Sequence, residues 1–322
     1  MTAPAPHQPV LLTRVVELLT SAPAGWVVDG TLGAAGHARA VLAARLAHHG
    51  HAELLGIDRD PAALALATDH LADLVTHPRV QVELAQARFD ALPDLLDERG
   101  IGQVSGVLLD LGISSMHVDQ AERGFSYRAD GPLDMRMDPT LPTTAADLVN
   151  DLDEAELARL LRRYGEEPHA ARIARAVVAA RPFSSTVQLA EVVRAAVPAA
   201  ARRRGGHPAT RSFQALRIAV NGELDALEAV LPAVLDRLAP GGVAVVLAYH
   251  SLEDRPVKQA FARAATTCVC PPGLPVCACG GQADVEHLVR RPERPDEVEV
   301  AANPRASAAR LRAVRRCHEE HA

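Results

Sequence analysis

The stretch Trp26-Val27-Val28-Asp29-Gly30-Thr31-Leu32-Gly33-Ala34-Ala35-Gly36-His37 decides how this chain folds. A short, β-branched apolar run ends in an acid, glycines recur at Gly30, Gly33 and Gly36, and a helical pattern begins at Ala38. Strand, glycine turn and helix in that order open a parallel α/β unit. Glycine lets the backbone turn tightly and lets a ligand approach closely, because no Cβ stands in the way. The N–H groups at the start of the helix suit an acidic group. The methionine carboxylate of S-adenosylmethionine fits that description and so does a pyrophosphate, while an ordinary tight turn needs no ligand at all.

Working outward, Leu54-Leu55-Gly56-Ile57, Val80 to Leu84 and Val104 to Leu109 read as further buried strands, short and followed by turn residues. Helices are predicted over Ala38 to Leu46 and Ala62 to Leu74, the second with Asp60 as N-cap and Pro61 at its first position. This alternation implies a doubly wound α/β sheet with right-handed crossovers. From about residue 130 to 210 the strands stop. Helices are expected over Ala145 to Leu148, Glu154 to Tyr164, His169 to Ala180 and Val187 to Ala196, punctuated by Pro182, Pro198 and Gly205-Gly206. A long helix, Ser212 to Leu238, then leads through the turn Pro240-Gly241-Gly242 into a strand, Val243 to Tyr249. The expected organisation is a core at 1–130, an inserted all-helical substrate-recognition domain at 131–209, the rest of the core at 210–300 and a basic C-terminal tail at 301–322.

The 322 residues are 48% hydrophobic and 23% charged, the balance of a soluble globular protein, and only 3% aromatic. No apolar run reaches the roughly 18 residues of a membrane span. Met1 to Pro9 lacks a basic patch followed by an apolar core, so no secretory signal is read and a cytoplasmic protein without a membrane partner is expected. A net charge of −6 does not by itself mark a nucleic-acid binder. Two arginine groups stand out nonetheless: Arg159, Arg162, Arg163, Arg172, Arg175 and Arg181 with the Arg202-Arg203-Arg204 run, and Arg305, Arg310, Arg312, Arg315 and Arg316. Phosphate contact or a solvated helix face explains either group. Cys268, Cys270, Cys277 and Cys279 have a spacing that can hold a tetrahedral zinc, though tighter than usual zinc loops. Reduced thiols are the favoured reading and no metal is assigned; disulfides come last in a cytoplasmic chain, and Cys317 stands apart.

The candidate site residues lie where the strands end. Asp58 closes the second strand about twenty residues past the glycine loop, where a carboxylate accepts bonds from the ribose hydroxyls of a nucleoside cofactor. It is equally placed as an acidic residue before the Asp60-Pro61 helix start. Phe89-Asp90 follows the third strand, offering an aromatic face and a polar neighbour to an adenine. Asp110 closes the fourth strand in Leu108-Leu109-Asp110-Leu111-Gly112, at the sheet edge where such folds bind ligands. Methyl transfer from a sulfonium to an amine is an in-line displacement that needs donor and acceptor close and aligned. A base's exocyclic amine is a poor nucleophile, and an acceptor that localises its lone pair and takes its proton helps. Asp110 is the first candidate for that acceptor and His250, in Tyr249-His250-Ser251-Leu252-Glu253-Asp254, the second.

With these residues in view, the chain resembles the bacterial 16S ribosomal RNA cytosine-N4 methyltransferase (RsmH, or MraW) family over nearly its whole length. The matching stretches are His7 to Leu12, Asp29 to His37, Gly56 to Pro61, Leu108 to Ser115, Tyr164 to Glu167, His207 to Ala215 and His250 to Asp254. The block Asp119 to Ser126 continuing through Gly131 to Asp138 is the most specific of them. The resemblance implies a class I, Rossmann-like S-adenosylmethionine methyltransferase sheet with an inserted helical domain. It implies N4-methylation of a cytidine in the decoding centre of 16S ribosomal RNA, with the small ribosomal subunit as partner. It places donor-binding positions on Ala35, Gly36, His37, Asp58, Phe89, Asp110 and His117. Ala35 stands where the family generally has glycine and His117 where glutamine is common. The Arg123 to Asp138 block mixes Phe125, Tyr127, Arg128 and Arg136 with glycines and proline, so it reads as a loop over the target base and its phosphates or as a well-packed structural loop. Two alternatives share some of these features: a nicotinamide-dependent oxidoreductase, which gives no reason for the Pro240-Gly241-Gly242 turn, and a non-catalytic ribosome-assembly factor that keeps the donor as a ligand. A DNA cytosine methyltransferase would usually carry a Pro-Pro-aromatic element where this chain has Leu111-Gly112-Ile113-Ser114. The oligomeric state is left open, a dimer being one option.

Overall fold

The computed structural model describes residues 9–202, 206–266 and 282–318, and within them the chain forms two compact units: 1–112 with 225–322, and 113–224. The first unit is built on one seven-stranded sheet: β1 Trp26–Asp29, β2 Ala52–Asp58, β3 Val80–Gln86, β4 Val104–Asp110, β5 Leu238–Ala248, β6 Val285–His287 and β7 Arg310–Arg316. Their order is β3-β2-β1-β4-β5-β7-β6. The pairs from β3 to β5 are parallel, whereas β7 runs antiparallel to both β5 and β6. The doubly wound class I sheet expected from the sequence is therefore present, with all four early strands where the apolar runs stood.

Side chains alternate across the sheet with the two-residue period of a strand. Val28, Leu55, Leu109 and Val246 join one buried cluster, in which Leu92, Leu96, Leu227, Leu231 and Phe261 cover the sheet. Their neighbours Val27, Leu54, Leu108 and Val245 join the opposite cluster, covered by Val15, Leu19, Val41, Leu42 and Leu71. Helix Pro61–Val75 starts as its sequence dictates, the Asp60 carboxylate accepting from the Ala62 N–H and Pro61 occupying the first turn. The helix Leu12–Thr20, which no sequence signal had marked, supplies Val15, Leu18 and Leu19 to the core.

Three expectations change. The long helix expected from Ser212 to Leu238 is two helices, Thr210–Asn221 and Glu223–Arg237, because Gly222 takes a left-handed φ of 60° and caps the first. Pro240-Gly241-Gly242 is not a turn ahead of the strand but a bulge inside β5, where the register against β4 shifts and Gly241 sits at φ 78°. The basic tail is not a tail. Arg310–Arg316 forms β7 between β5 and β6, and Arg312 and Arg310 meet the Asp254 carboxylate at 2.6 Å and 3.3 Å.

The second unit is helical, with Ala145–Asp151, Glu154–Gly165, Ala170–Ala179, Thr186–Ala196 and Thr210–Asn221 around Met135, Leu161, Ile173, Val177 and Phe213. Thr144 with Asp147 and Asp153 with Glu156 form capping boxes that fix two helix starts. The unit begins at Ile113 and ends at Leu224, wider than the 131–209 read from the sequence. Within it, Asn221 accepts from the Met137 N–H at 2.8 Å and donates to the Met135 carbonyl at 2.7 Å, tying the Arg123 to Asp138 block to helix Thr210–Asn221. That block is a packed structural loop. A Cβ on Gly124 would lie 2.1 Å from the Pro132 carbonyl oxygen, and one on Gly131 would lie 1.9 Å from that of Ala121. The Arg123 guanidinium bonds the Arg136 and Met137 carbonyls, Arg136 pairs with Asp134, and Tyr127 stacks on His207 with ring centroids 4.4 Å apart. Of the aromatic and basic groups expected to meet a base and its phosphates, Phe125, Tyr127 and Arg136 are engaged within this unit, while Arg128 is exposed.

Candidate active site

The site of the first unit is assembled by the turn after β1. Gly30 N–H bonds the Leu108 carbonyl at the end of β4 and Leu32 N–H bonds Ile57 at the end of β2, so the turn is pinned across both neighbouring strands. Gly33 turns at φ 53° and Ala35 at φ 62°. Gly36 then opens the helix Gly36–His49, and no side chain caps its N-terminus. Gly33 has open space where a Cβ would stand, its nearest neighbour being 4.0 Å away. At Gly30 and Gly36 the reason for glycine is packing, since a Cβ would lie 2.6 Å from the Leu109 side chain and 2.6 Å from the Pro9 ring respectively. Of the three glycines, Gly33 is the one whose Cβ position faces open space.

Asp58 holds this turn as well as facing it. One carboxylate oxygen accepts from the Gly33 N–H at 2.8 Å and the other from the Asp60 N–H at 2.8 Å. Together these bonds fix the direction of the carboxylate at the end of β2. Phe89 begins a single 3₁₀ turn after β3, and its Cβ lies 3.4 Å from the point where a Gly30 Cβ would be. Asp90, its neighbour, is clamped by the Arg88 guanidinium at 2.6 Å and 2.5 Å, which holds its carboxyl below the usual range.

Asp110 lies on the far side of the same turn. Its backbone N–H donates to Thr31 Oγ1 at 2.6 Å, its Oδ1 accepts from the Tyr249 hydroxyl at 2.8 Å, and its Oδ2 lies 3.6 Å from His37 Nδ1. The other His37 nitrogen is 2.9 Å from the Val10 carbonyl, which can only accept, so Nε2 carries the hydrogen. Asp29, only 2% exposed, accepts from the Thr31 N–H at 3.1 Å. Burial first, then repulsion by Asp110 and Asp58, raises its carboxyl to about 7 against that hydrogen bond. Three carboxylates at one sheet edge, with no lysine or arginine among the described residues pairing Asp29, make an environment suited to a cationic ligand.

The structure thus brings Ala35, Gly36, His37, Asp58, Phe89 and Asp110 to one end of the sheet, in line with the sequence. His250, the residue after Tyr249, is the N-cap of helix Ser251–Ala264, and its Nε2 lies 3.0 Å from Glu253 Oε1. His117 belongs to the second unit, where its ring stacks on Phe125 at 4.8 Å. Asp29, Thr31, Tyr249 and Glu253 were missed. Asp29 carried the signal already used for Asp110, a strand ending in an acid followed by glycine; the role of Tyr249 depends on the register of β5 and had none.

The arginine groups divide. Arg181 is structural, donating to the Val149 and Leu152 carbonyls. Arg159, Arg162, Arg163 and Tyr164 line a shallow groove of about 850 Å³ on the second unit with Leu148 and Leu152. The Cys268, Cys270, Cys277 and Cys279 cluster and Arg203-Arg204 lie outside the described residues. Among the described residues no helix is long and apolar enough to cross a membrane.

Comparison with known proteins gives four findings. Residues 4–317 match the MraW methylase family. The chain is 52% identical to the ribosomal RNA small subunit methyltransferase H of Thermobifida fusca (strain YX) over 324 residues, 98% of this chain and 96% of that one. It is 49% identical to the protein of the same name from Heliobacterium modesticaldum over 312 residues, 96% of this chain and 97% of that one. Among solved structures, an rRNA methylase from Streptococcus thermophilus aligns with 95% of this chain and 94% of its own at a TM-score of 0.38 and 13% identity.

Proposed function

The chain belongs to the MraW methylase family, and on that premise we propose that it transfers a methyl group from S-adenosylmethionine to N4 of a cytidine in the decoding centre of 16S ribosomal RNA. The small ribosomal subunit, rather than naked RNA, is the proposed substrate, and the cytoplasm the proposed location. The name shared by the full-length relatives supports methylation of small-subunit ribosomal RNA. The observation that carries the reading in this chain is the arrangement of Asp29, Asp58 and Asp110 around an uncapped helix start.

The residues present fit the donor. The first-turn N–H groups of Gly36–His49 and the open face of Gly33 suit its carboxylate. Asp58, already oriented by two backbone N–H groups, suits its ribose hydroxyls, and Phe89 its adenine. Asp29 and Asp110 supply negative charge where its positive centre would lie, with Ala35 and His37 closing the turn. When bound, the donor supplies an activated methyl group on a sulfonium.

The chain's own work is positioning. Asp110, held at its backbone by Thr31 and at Oδ1 by Tyr249, accepts from the target amine, which localises the nitrogen lone pair along the attack line, and the amine's proton passes toward that carboxylate. His250, set by Glu253, is the second acceptor candidate. His117 enters this assignment on the family resemblance alone. The exposed Arg159, Arg162 and Arg163 of the second unit offer phosphate contacts. The test is mass spectrometry of small-subunit RNA from cells with the wild-type chain, with Asp110→Ala or with His250→Ala. Cytidine carrying one methyl on N4 is expected with wild type and absent with Asp110→Ala; N4-methylation undiminished by Asp110→Ala removes Asp110 from the chemistry.

A further inference from the structure

We propose that Tyr249 is the positioning residue for Asp110: a neutral hydroxyl that fixes the carboxylate's orientation without cancelling its charge. The inference rests on the methyl-transfer reading, which names Tyr249 only as a hydrogen-bond partner of Asp110, and gives that residue a role in the rate.

The geometry is set by the sheet. Asp110 pairs with Leu247 across β4 and β5, and the Leu111 N–H bonds the Leu247 carbonyl at 3.0 Å. Two residues later the chain leaves β5, and the Tyr249 N–H is caught by Glu253 Oε2 at 2.7 Å. Glu253 is itself buried, 3% exposed, at the start of helix Ser251–Ala264. This turns the tyrosine ring back across the strand end, over Gly112. A Cβ on Gly112 would lie 3.3 Å from the ring, and that residue's φ of 94° is one that L side chains rarely adopt. The hydroxyl then reaches Asp110 Oδ1 at 2.8 Å. With the backbone N–H on Thr31 Oγ1 at 2.6 Å, the side chain is held at both ends and Oδ2 is directed toward His37 Nδ1, 3.6 Å away.

Such a group is needed because the surroundings push the carboxylate about. Asp29 at the end of β1 repels it, while His37 faces it from helix Gly36–His49. Glu253 and Glu299, from the helices Ser251–Ala264 and Glu297–Ala302, add negative charge around the phenol. An arginine here would orient Asp110 but neutralise it, removing the charge that suits a cationic donor. A phenol orients it and adds no charge. Burial first, and then the Asp110 charge, push the Tyr249 hydroxyl far above its ordinary range, so it stays a protonated donor throughout the working pH. A hydrogen bond to the ionised form also favours that form, keeping Asp110 able to accept from an amine.

The test compares full-length wild type with Tyr249→Phe, using tritiated S-adenosylmethionine and small subunits that lack the methyl group. Substrate KM, the single-turnover rate and the pH dependence of that rate are measured, with thermal unfolding as control. Tyr249→Phe keeps the ring over Gly112, so it should fold and bind subunits with a KM within about twofold of wild type. Its single-turnover rate should fall about 10- to 100-fold, the scale of one hydrogen bond to a charged group. The acidic limb of the pH profile should move upward, because the carboxylate has lost the donor that favoured its ionised form. A wild-type rate, a slower rate with an unmoved acidic limb, or a variant that does not fold each overturns the positioning role. If wild type transfers no methyl at all, the underlying reading fails and this inference falls with it.

Discussion

Asp29→Asn should stabilise the first unit while impairing its function. In the folded chain the Asp29 carboxyl is raised from 3.8 to about 7, first by burial and then by Asp110 and Asp58. Because the folded pKa is the higher one, the folded state binds more protons than the unfolded chain between these two values. Stability therefore falls as pH rises through that window and stays lowered above it. At about 1.4 kcal/mol for each pH unit, the ionised Asp29 costs a ceiling of about 4 kcal/mol at pH 8. Asparagine keeps the oxygen that accepts from the Thr31 N–H at 3.1 Å but brings an amide NH₂ that must find a partner, at about 1–3 kcal/mol if it does not. The net expectation is a gain of about 1–3 kcal/mol at pH 8, seen as a thermal midpoint several degrees higher. The gain should shrink as the pH is lowered toward 5, where wild type is itself protonated. Calorimetric melting of both proteins from pH 5 to 8, with donor affinity measured alongside, checks this. A variant that melts at or below wild type at pH 8, or a gain that does not change with pH, refutes the argument. Weaker donor binding with greater stability would show the site keeping a strained charge for its ligand.

Other expectations follow from the same geometry. Arg45 is fully buried and donates to the Leu19, Pro23 and Gly25 carbonyls and to Ser105 Oγ; Arg45→Met should cost about 2–4 kcal/mol in denaturant unfolding, because the buried Leu19 carbonyl and Ser105 Oγ lose this donor. Gly131→Ala, with a Cβ 1.9 Å from the Ala121 carbonyl oxygen, should unfold the second unit, visible as lost amide protection over 113–224 while the first unit keeps its own. Arg312→Ala removes the 2.6 Å partner of the half-buried Asp254 and leaves it the 3.3 Å contact to Arg310 among the described residues, and should raise amide exchange in β7 without changing that in β2 or β3.

What the sequence made legible were features set by local rules. The four early strands are apolar runs bounded by turns, and the Asp60-Pro61 helix start is a cap whose partners sit within two residues. The acids at strand ends were readable because a parallel sheet places every such residue at one edge. Gly222 was lost inside a good helical pattern, since only its φ of 60° reveals that it ends a helix. β7 was read as a tail because its alternating arginines look solvated, whereas Asp254 reaches two of them from a helix more than fifty residues away. The Tyr249–Asp110 bond and the packing reasons for Gly30, Gly36 and Gly131 are tertiary and leave no local trace. For the Arg123 to Asp138 block, composition gave two readings, and the packing through Asn221, which the fold alone reveals, accounts for its glycines and its buried residues.

The central claim is that the sheet edge between the glycine turn and Asp58 is a seat for a sulfonium nucleoside. Titration calorimetry of the purified chain with S-adenosylmethionine and, separately, with a nicotinamide dinucleotide tests it directly. The account predicts saturable heat with the sulfonium, weakened by about tenfold or more in Asp58→Ala through loss of charge-assisted hydrogen bonds, and none with the dinucleotide. Tight dinucleotide binding with no uptake of S-adenosylmethionine would contradict it.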